Sequence, residues 1–450
     1  MKKQQIAVAL SMAILGIAAN TQVYAAGFQL AESSATGLGR AFAGEGASAE
    51  NASVQARNPA MLTYLEGRQM SVGAIYVMPS VNTPGNVTLA SPLLPQAVTV
   101  NADVLDVANN ALVPNFYYSS QLNDRWTWGL AVNANYGLST ELDGTAAAAI
   151  FGNKTAVTTV ELNPNIAYRI DDRFSVGGGL RLVYGEGEIG ASVPGWIDAV
   201  RAVPGIPATV AAALPPADTE LKYMKGDDYG YGWQAGASWQ LTPEHRIALS
   251  YHSKVDLELD GHASGLVYTG GANKVEGYLP LELPAFAELS SFHQLTDNWS
   301  MQASINWTDW SVFEKLVAYF PGEQKPLGDI SSDLVKEEHF KDNWRFALGT
   351  MYRLNESWLL RAGVALDKTA VSDEYRTITI PDSDRHWVSV GVGYAPTKSL
   401  NVDLGISYLR THGAAPINES MNMMDMAQVT FDGKSTGHVW LAGLQLSYKI

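Results

Sequence analysis

The sequence predicts an all-β fold, a 14-stranded antiparallel transmembrane β-barrel plugged by an N-terminal hatch. Three observations carry that prediction. Apolar and polar residues alternate with a period of two in stretch after stretch, which a helix cannot produce. The alternating stretches run longer than the roughly five or six residues of a strand in a soluble sandwich, and several are bracketed by aromatic residues. One compact segment, Ala26 to Leu62, is dense in Gly, Ala and Ser and does not alternate.

The chain opens with an export signal. Lys2 and Lys3 precede an apolar run from Ile6 to Ala19, and Val23-Tyr24-Ala25 offers a small-residue cleavage site before Ala26, so residues 1–25 read as a signal peptide. Its loss removes two Lys and no acid and takes the formal charge from -15 to -17, which argues against nucleic acid as a partner. No later window holds the roughly 18 to 20 apolar residues of a membrane helix. The cysteine count is zero, which excludes disulfides, thiol nucleophiles and thiolate metal sites. An exported chain whose strands face lipid must pair all its backbone groups, and a sheet does so only by closing on itself.

The alternation is clearest from Arg125 to Tyr136: Trp126, Trp128, Leu130, Val132, Ala134 and Tyr136 share one face, Thr127, Gly129, Ala131, Asn133 and Asn135 the other. It returns from Tyr231 to Leu241, from Val388 to Tyr394 and from Leu400 to Tyr408. In the last strand Trp440, Ala442, Leu444, Leu446, Tyr448 and Ile450 oppose Gln445, Ser447 and Lys449. Strands are expected at 68–79, 111–121, 124–141, 156–171, 173–191, 219–241, 244–261, 277–295, 298–316, 336–354, 357–371, 375–395, 398–412 and 434–450. That count is even, as closure of a bacterial barrel requires. Short turns such as Asn123-Asp124, Asp171-Asp172, Thr242-Pro243 and Asn355-Glu356 are assigned to the periplasmic side, and long connections such as Ser192 to Asp218 to the exterior.

Residues 26–66 form the expected hatch and residues 67–450 the barrel. Gly/Ser composition alone would suit a flexible tail, but Phe28, Leu30, Leu38, Phe42, Met61 and Leu62 give the segment apolar anchors. The connection 192–218 carries Trp196, Ile197, Val200, Val203, Ile206, Val210 and Leu214; its parts 196–203 and 208–214, separated by Pro204 and Pro207, read as short helices. So apolar a loop either packs on itself or offers a hydrophobic ligand a landing site. Within the third strand, Gly137 interrupts a regular pattern where bends occur. Backbone unpaired at that depth has to turn inward, towards the hatch.

Ala26-Gly27-Phe28-Gln29-Leu30, Gly37-Leu38-Gly39-Arg40-Ala41, Gly44-Glu45-Gly46 and Arg57-Asn58-Pro59-Ala60 are followed in order by further stretches of the same kind. These are Asn135-Tyr136-Gly137-Leu138, Tyr231-Gly232-Trp233, Phe340-Lys341-Asp342, Arg345 to Gly349, and Ile380-Pro381-Asp382-Ser383-Asp384-Arg385. Together they resemble the FadL-type outer-membrane long-chain fatty acid transporters of the FadL/TodX-like family, over essentially the whole mature chain. The resemblance implies capture of the ligand between extracellular loops, passage to an internal pocket and release sideways through the wall. It also implies the outer membrane of a Gram-negative bacterium, outer-membrane lipid and lipopolysaccharide as surroundings, a monomer, and no cofactor.

By the same resemblance Asn58, Pro59 and Ala60 are the hatch motif, and Asn135, Tyr136 and Gly137 fall where the third strand kinks to open the wall. Lys336 matches a basic pocket residue that helps bind the fatty acid head group, and Phe28 reaches into that pocket. The family's second pocket cation falls at Ala191, counted from Tyr184. Arg181, with the lumen-facing parity of Ser175, Gly177 and Gly179, is a replacement or is paired to acids in the wall. Trp196 and Ile197 are the candidates for capture outside the membrane. Long-chain fatty acid is the expected cargo and toluene-like aromatic hydrocarbon the alternative, which needs no cation.

Catalysis is not expected. The eight His include no His-x-x-x-His pair for a metal, and Gly-x-Ser-x-Gly is absent. Asp382, Asp384 and His386 would share a face of a strand, but a Pro-flanked polar bend is the plainer account. An open diffusion porin is disfavoured because the hatch would occupy its bore. A hydrophobic route suits the cargo: at about 0.8 kcal/mol per methylene, taking a long acyl chain into water costs on the order of 10 kcal/mol.

Overall fold

The computed structural model describes residues 27–450 apart from Pro95, Gly205, Ala272, Glu323 and 424–426; the signal peptide expected at 1–25 lies outside the described residues. Period-two alternation becomes a closed wall. Arg68–Asn82 pairs antiparallel with Ala111–Gln121 on one side and with Ala427–Lys449 on the other, so that fourteen crossings form a ring. Leu444, Leu446 and Tyr448 are exposed on its outside, while Gln445 and Ser447 are buried inside. No described helix is long and apolar enough to cross a membrane. Exposed Trp126, Phe174, Trp239, Trp299, Trp358 and Tyr448 mark the end with the short turns, and Tyr229, Trp344 and Trp440 the opposite end.

Several crossings are not continuous, and there the sequence reading needs correction. The expected strand 124–141 is split into Trp126–Asn133 and Gly137–Glu141, 244–261 into His245–His252 and Val255–Ser264, and 277–295 into Val275–Leu283 and Phe286–Gln294. The expected 298–316 ends at Thr308, and after a turn at Trp310–Val312 a separate strand runs over Lys315–Tyr319. Ser332–Glu337 is likewise separate from Asn343–Arg353. The expected 357–371 stops at Asp367, and 375–395 begins only at Arg385 because the stretch between packs inward, with Ile378 and Ile380 buried. The last strand starts early, at Ala427, because it extends outside the ring to pair with Ala415–Met423 and Gly85–Ala90.

Residues 27–65 run in short helical turns along the inner faces of the strands. Their hydrogen bonds reach strands around the whole ring. Ala35 N–H donates to Gln445 Oε1 at 3.1 Å, Arg345 to the Ala41 carbonyl at 2.7 Å, Gly46 N–H to Glu288 Oε1 at 2.9 Å, and Tyr117 hydroxyl to the Ser33 carbonyl at 2.7 Å. A buried chain of alternating charges crosses the interface: Glu45 pairs with Arg40, Arg40 with Glu50, Glu50 with Arg361 at 2.6 Å, and Arg361 with Asp403 at 2.7 Å. Asn58 caps the turn Pro59–Tyr64 by accepting from Ala60 N–H at 3.0 Å, and its amide donates to the Gly46 and Ala237 carbonyls. The turn lies flat on two glycines that face each other across adjacent strands, Gly177 and Gly236. A Cβ on Gly177 would stand 2.5 Å from Ala60 N, and one on Gly236 would stand 1.9 Å from Asn58 Oδ1.

The break at Asn135-Tyr136-Gly137 is where this segment and the wall exchange partners. Pairing of the second and third crossings stops at Phe116↔Val132 and resumes only as a bridge at Ala108↔Thr140. Between them the backbone turns inward: Leu30 N–H donates to the Asn135 carbonyl and Gly137 N–H to the Phe28 carbonyl, both at 2.8 Å, with Gln29 bridging Tyr136. Ala134 and Tyr136, expected on the lipid face, are therefore buried. Thr159 hydroxyl donates to the Tyr136 carbonyl at 2.7 Å, and Tyr136 hydroxyl donates to the Pro284 carbonyl. Asn135 Nδ2 donates to Glu161 Oε2 at 2.9 Å.

Glu161 is itself gripped by Arg181, whose Nε lies 3.0 and 3.1 Å from the two carboxylate oxygens and whose Nη2 lies 2.9 Å from Oε2. Arg181 also donates to the Ser253 carbonyl and lies over the Phe286 ring, and both charged side chains are buried. Removing one charge of such a pair strands the other in the interior. Glu161→Gln is expected to cost about 3–5 kcal/mol in chemical unfolding of the detergent-solubilised barrel, and Glu161→Leu with Arg181→Leu to recover most of that loss. Equal losses in the single and double variants would contradict the assignment.

Candidate functional site

A largely apolar cavity lies directly inside the break, with about 700 Å³ of empty space that is partly open to solvent. Phe28, Leu138, Val157, Ile189, Leu259, Leu281, Phe313, Leu316 and Ile380 line it, and Glu188, Lys225, His262 and Tyr278 are its charged or titratable lining residues. Its predominantly apolar lining with a few polar groups is that of a small-molecule site. The local chain explains how Phe28 gets there. Gly27 takes φ +60, its N–H donates to the Asp382 carboxylate at 3.2 Å, and a Cβ on it would strike Trp310. The turn throws the Phe28 ring edge-on against Trp310 at 4.5 Å, Phe313 at 5.4 Å and Tyr136 at 6.2 Å. Leu138, one residue beyond Gly137, lines the cavity with Phe28, whose carbonyl accepts from the Gly137 N–H.

The remaining candidates take other positions. Lys336 is not among the cavity-lining residues: its Nζ donates to Thr379 Oγ1 at 3.0 Å and pairs with Glu419 at 3.1 Å, although its cross-strand partner Leu316 does line the cavity. Arg181 is committed to Glu161 in the wall. Trp196 and Ile197 are turned into the external loops, where Trp196 Nε1 donates to the Ala147 carbonyl at 3.0 Å and Ile197 is buried. Trp196, Val200, Ile206 and Leu214 join Val87, Leu89, Ile378 and Phe431 in a loop core. The two helices of this connection form as expected, at Ile197–Arg201 and Ala208–Ala213. Asp382 is buried against Gly27, Thr369 and Arg385, whereas His386 faces outward, so the three residues of the polar bend do not assemble.

Three residues close to the site escaped the sequence reading. Glu161 was detectable as an acid on the inward parity of its strand, beside Asn163 and Asn165, one strand away from Arg181. Glu419 lies on a strand outside the ring that alternation did not reveal. Glu338 follows Lys336 by two residues; neither carboxylate oxygen has a hydrogen-bond partner, and burial pushes the group up to about 8. Among the described residues no group of three His, Asp or Glu side chains is placed to hold a metal ion.

The fold and the chain both have known counterparts. The long-chain fatty acid transport protein of Escherichia coli (strain K12) is 35% identical over 464 residues, covering 98% of this chain and 97% of that protein. Outer membrane protein P1 of Haemophilus influenzae (strain Rd) is 36% identical over 449 residues, covering 94% of this chain and 95% of that protein. The crystal structure of a Pseudomonas aeruginosa FadL homologue superposes with a TM-score of 0.79 at 23% identity, over 94% of this chain and 100% of that one. The Pseudomonas putida toluene transporter TodX superposes with a TM-score of 0.65 at 19% identity, over 95% of this chain and 100% of that one. The family described as outer membrane protein transport protein (OMPP1/FadL/TodX) matches residues 16–450. The chain belongs to that family of outer-membrane transport proteins of Gram-negative bacteria.

Proposed function

We propose that this protein takes up long-chain fatty acids across the outer membrane, receiving them at the extracellular loops, holding them in the cavity behind Phe28 and releasing them sideways through the break at Asn135-Tyr136-Gly137. One observation carries the reading: Phe28, bonded to Gly137 at the break, and Leu138, the next residue, both line the cavity. A ligand leaving by that gap exchanges apolar lining for lipid without crossing water, avoiding a cost on the order of 10 kcal/mol. Residues 27–65 act as the hatch, with Asn58, Pro59 and Ala60 as its seat, and the protein works as a monomer. The loop core around Trp196 and Ile197 supports the outer mouth where capture begins.

Lys336 is the head-group cation in this reading, and it has to be drawn from Glu419 to serve. That pairing also favours a second reading, an uncharged aromatic hydrocarbon as cargo, because a resting site whose cation is already neutralised suits a neutral ligand. Lys336→Ala is expected to weaken long-chain fatty acid binding about tenfold while leaving toluene binding unchanged, and Glu419→Gln to strengthen the fatty acid alone. Calorimetric titration of both ligands checks this; equal losses for the two would show that Lys336 is structural.

Deleting Asn135 and Tyr136 together keeps the face register, because two residues are one period of the strand. The folded deletion variant, identified by its heat-modifiable migration, is expected to import radiolabelled fatty acid at least about tenfold more slowly. Import at the normal rate would place the exit past the hatch.

A further inference from the structure

A second site lies on the outside of the barrel, independent of the cavity. His386, Arg410 and His438 are lateral neighbours across three adjacent strands, since His386 pairs with Arg410 and Arg410 with His438. His412 follows Arg410 by two residues, which keeps it on the same face. His386, Arg410 and His412 are exposed. With Tyr408 and Asn82 they line an open groove with about 1390 Å³ of empty volume. The Arg410 guanidinium has no ion pair or hydrogen bond among the described residues, so its five donors are free for an acceptor from outside the chain. His386 Nε2 and His412 Nδ1 are 3.0 Å apart, so the rings share one N–H···N hydrogen bond, and the second nitrogen of each has no hydrogen-bond partner among the described residues. The acid beside them is already occupied: Asp384 binds Lys368 and the Thr369 N–H. Lys434 adds a further cation on the outward face of the same strand as His438.

Depth identifies what the groove meets. On the same outward faces, Val388, Val390, Leu404, Ile406, Leu444 and Leu446 are exposed towards the short-turn end. Next come Tyr408 and Trp440, whose rings are 4.7 Å apart, and then the basic groove, with His438 against Tyr408. Aromatic residues of this kind sit at the level of lipid headgroups, so the groove lies at the headgroup layer of the outer leaflet. We propose that it binds the phosphate of a phosphorylated outer-leaflet glycolipid, with Arg410 as the bidentate donor and, of the imidazole pair, the ring that accepts the shared bond donating its second N–H to the phosphate.

The test is native mass spectrometry of the detergent-solubilised full-length protein titrated with diphosphorylated lipid A and with its fully dephosphorylated form. The wild type is expected to retain the phosphorylated lipid about tenfold better. Arg410→Gln should abolish that preference, Arg410→Lys should keep part of it, and all variants should migrate as folded barrels. Millimolar inorganic phosphate should fail to displace the lipid. Equal retention of the two lipids by the wild type, an unchanged preference in Arg410→Gln, or displacement by inorganic phosphate would each overturn the proposal. Fatty acid binding is expected to be unaltered in Arg410→Gln, so the outcome is separable from the transport reading.

Discussion

A peptide group at membrane depth has no water to turn to, and each one left unpaired costs several kcal/mol. The rest of this structure follows from how that cost is avoided at one place. Where the third crossing leaves its neighbour, its backbone groups are not abandoned: Asn135 and Gly137 bond to Leu30 and Phe28. Pro114, on the facing strand within the gap, has no N–H to leave unpaired. The strand pairing can lapse there because the N-terminal segment supplies a substitute edge, and that edge carries Phe28 into the cavity. The buried Arg181 and Glu161 hold the arrangement through Asn135. Arg181 is thus tied to the break through Glu161 and is not among the residues that line the cavity.

The contact between the N-terminal segment and the wall has a different character from a protein core. Arg40, Glu50, Arg361 and Asp403 alternate in charge across it, and Gly177 and Gly236 permit a close approach of backbone. Charges so arranged gain little net stability, because their desolvation offsets their attraction, but they penalise every misaligned position. A segment that must present Phe28 and Gln29 in one register to the break needs that specificity more than it needs adhesion.

Much of the wall was legible because its physics is local. Alternation from Trp440 to Tyr448 follows directly from lipid outside and polar side chains inside, and 111–121 was read to the residue. The breaks after Asn133, His252 and Leu283 were harder, since a strand that turns inward keeps the same period while exchanging its surroundings. Gly137 betrayed the first of them, but Ser253-Lys254 and Pro284-Ala285 gave no equal signal that was recognised. Lys336 was found by resemblance, whereas its pairing with Glu419 depends on a strand outside the ring that brings together positions 83 residues apart. Trp196 looked exposed because a sequence does not show the distant Val87 and Phe431 of the same loop core.

The central claim is that the ligand leaves through the wall between the second and third crossings. Photo-crosslinking with a diazirine-bearing long-chain fatty acid during uptake in intact outer membranes, followed by peptide mapping, tests it most directly. The account predicts label on Phe28, Leu138 and the facing stretch Leu112–Asn115, with none on Leu62–Leu65 at the short-turn end. Label concentrated on Leu62–Leu65, with Leu112–Asn115 unmarked, would contradict it.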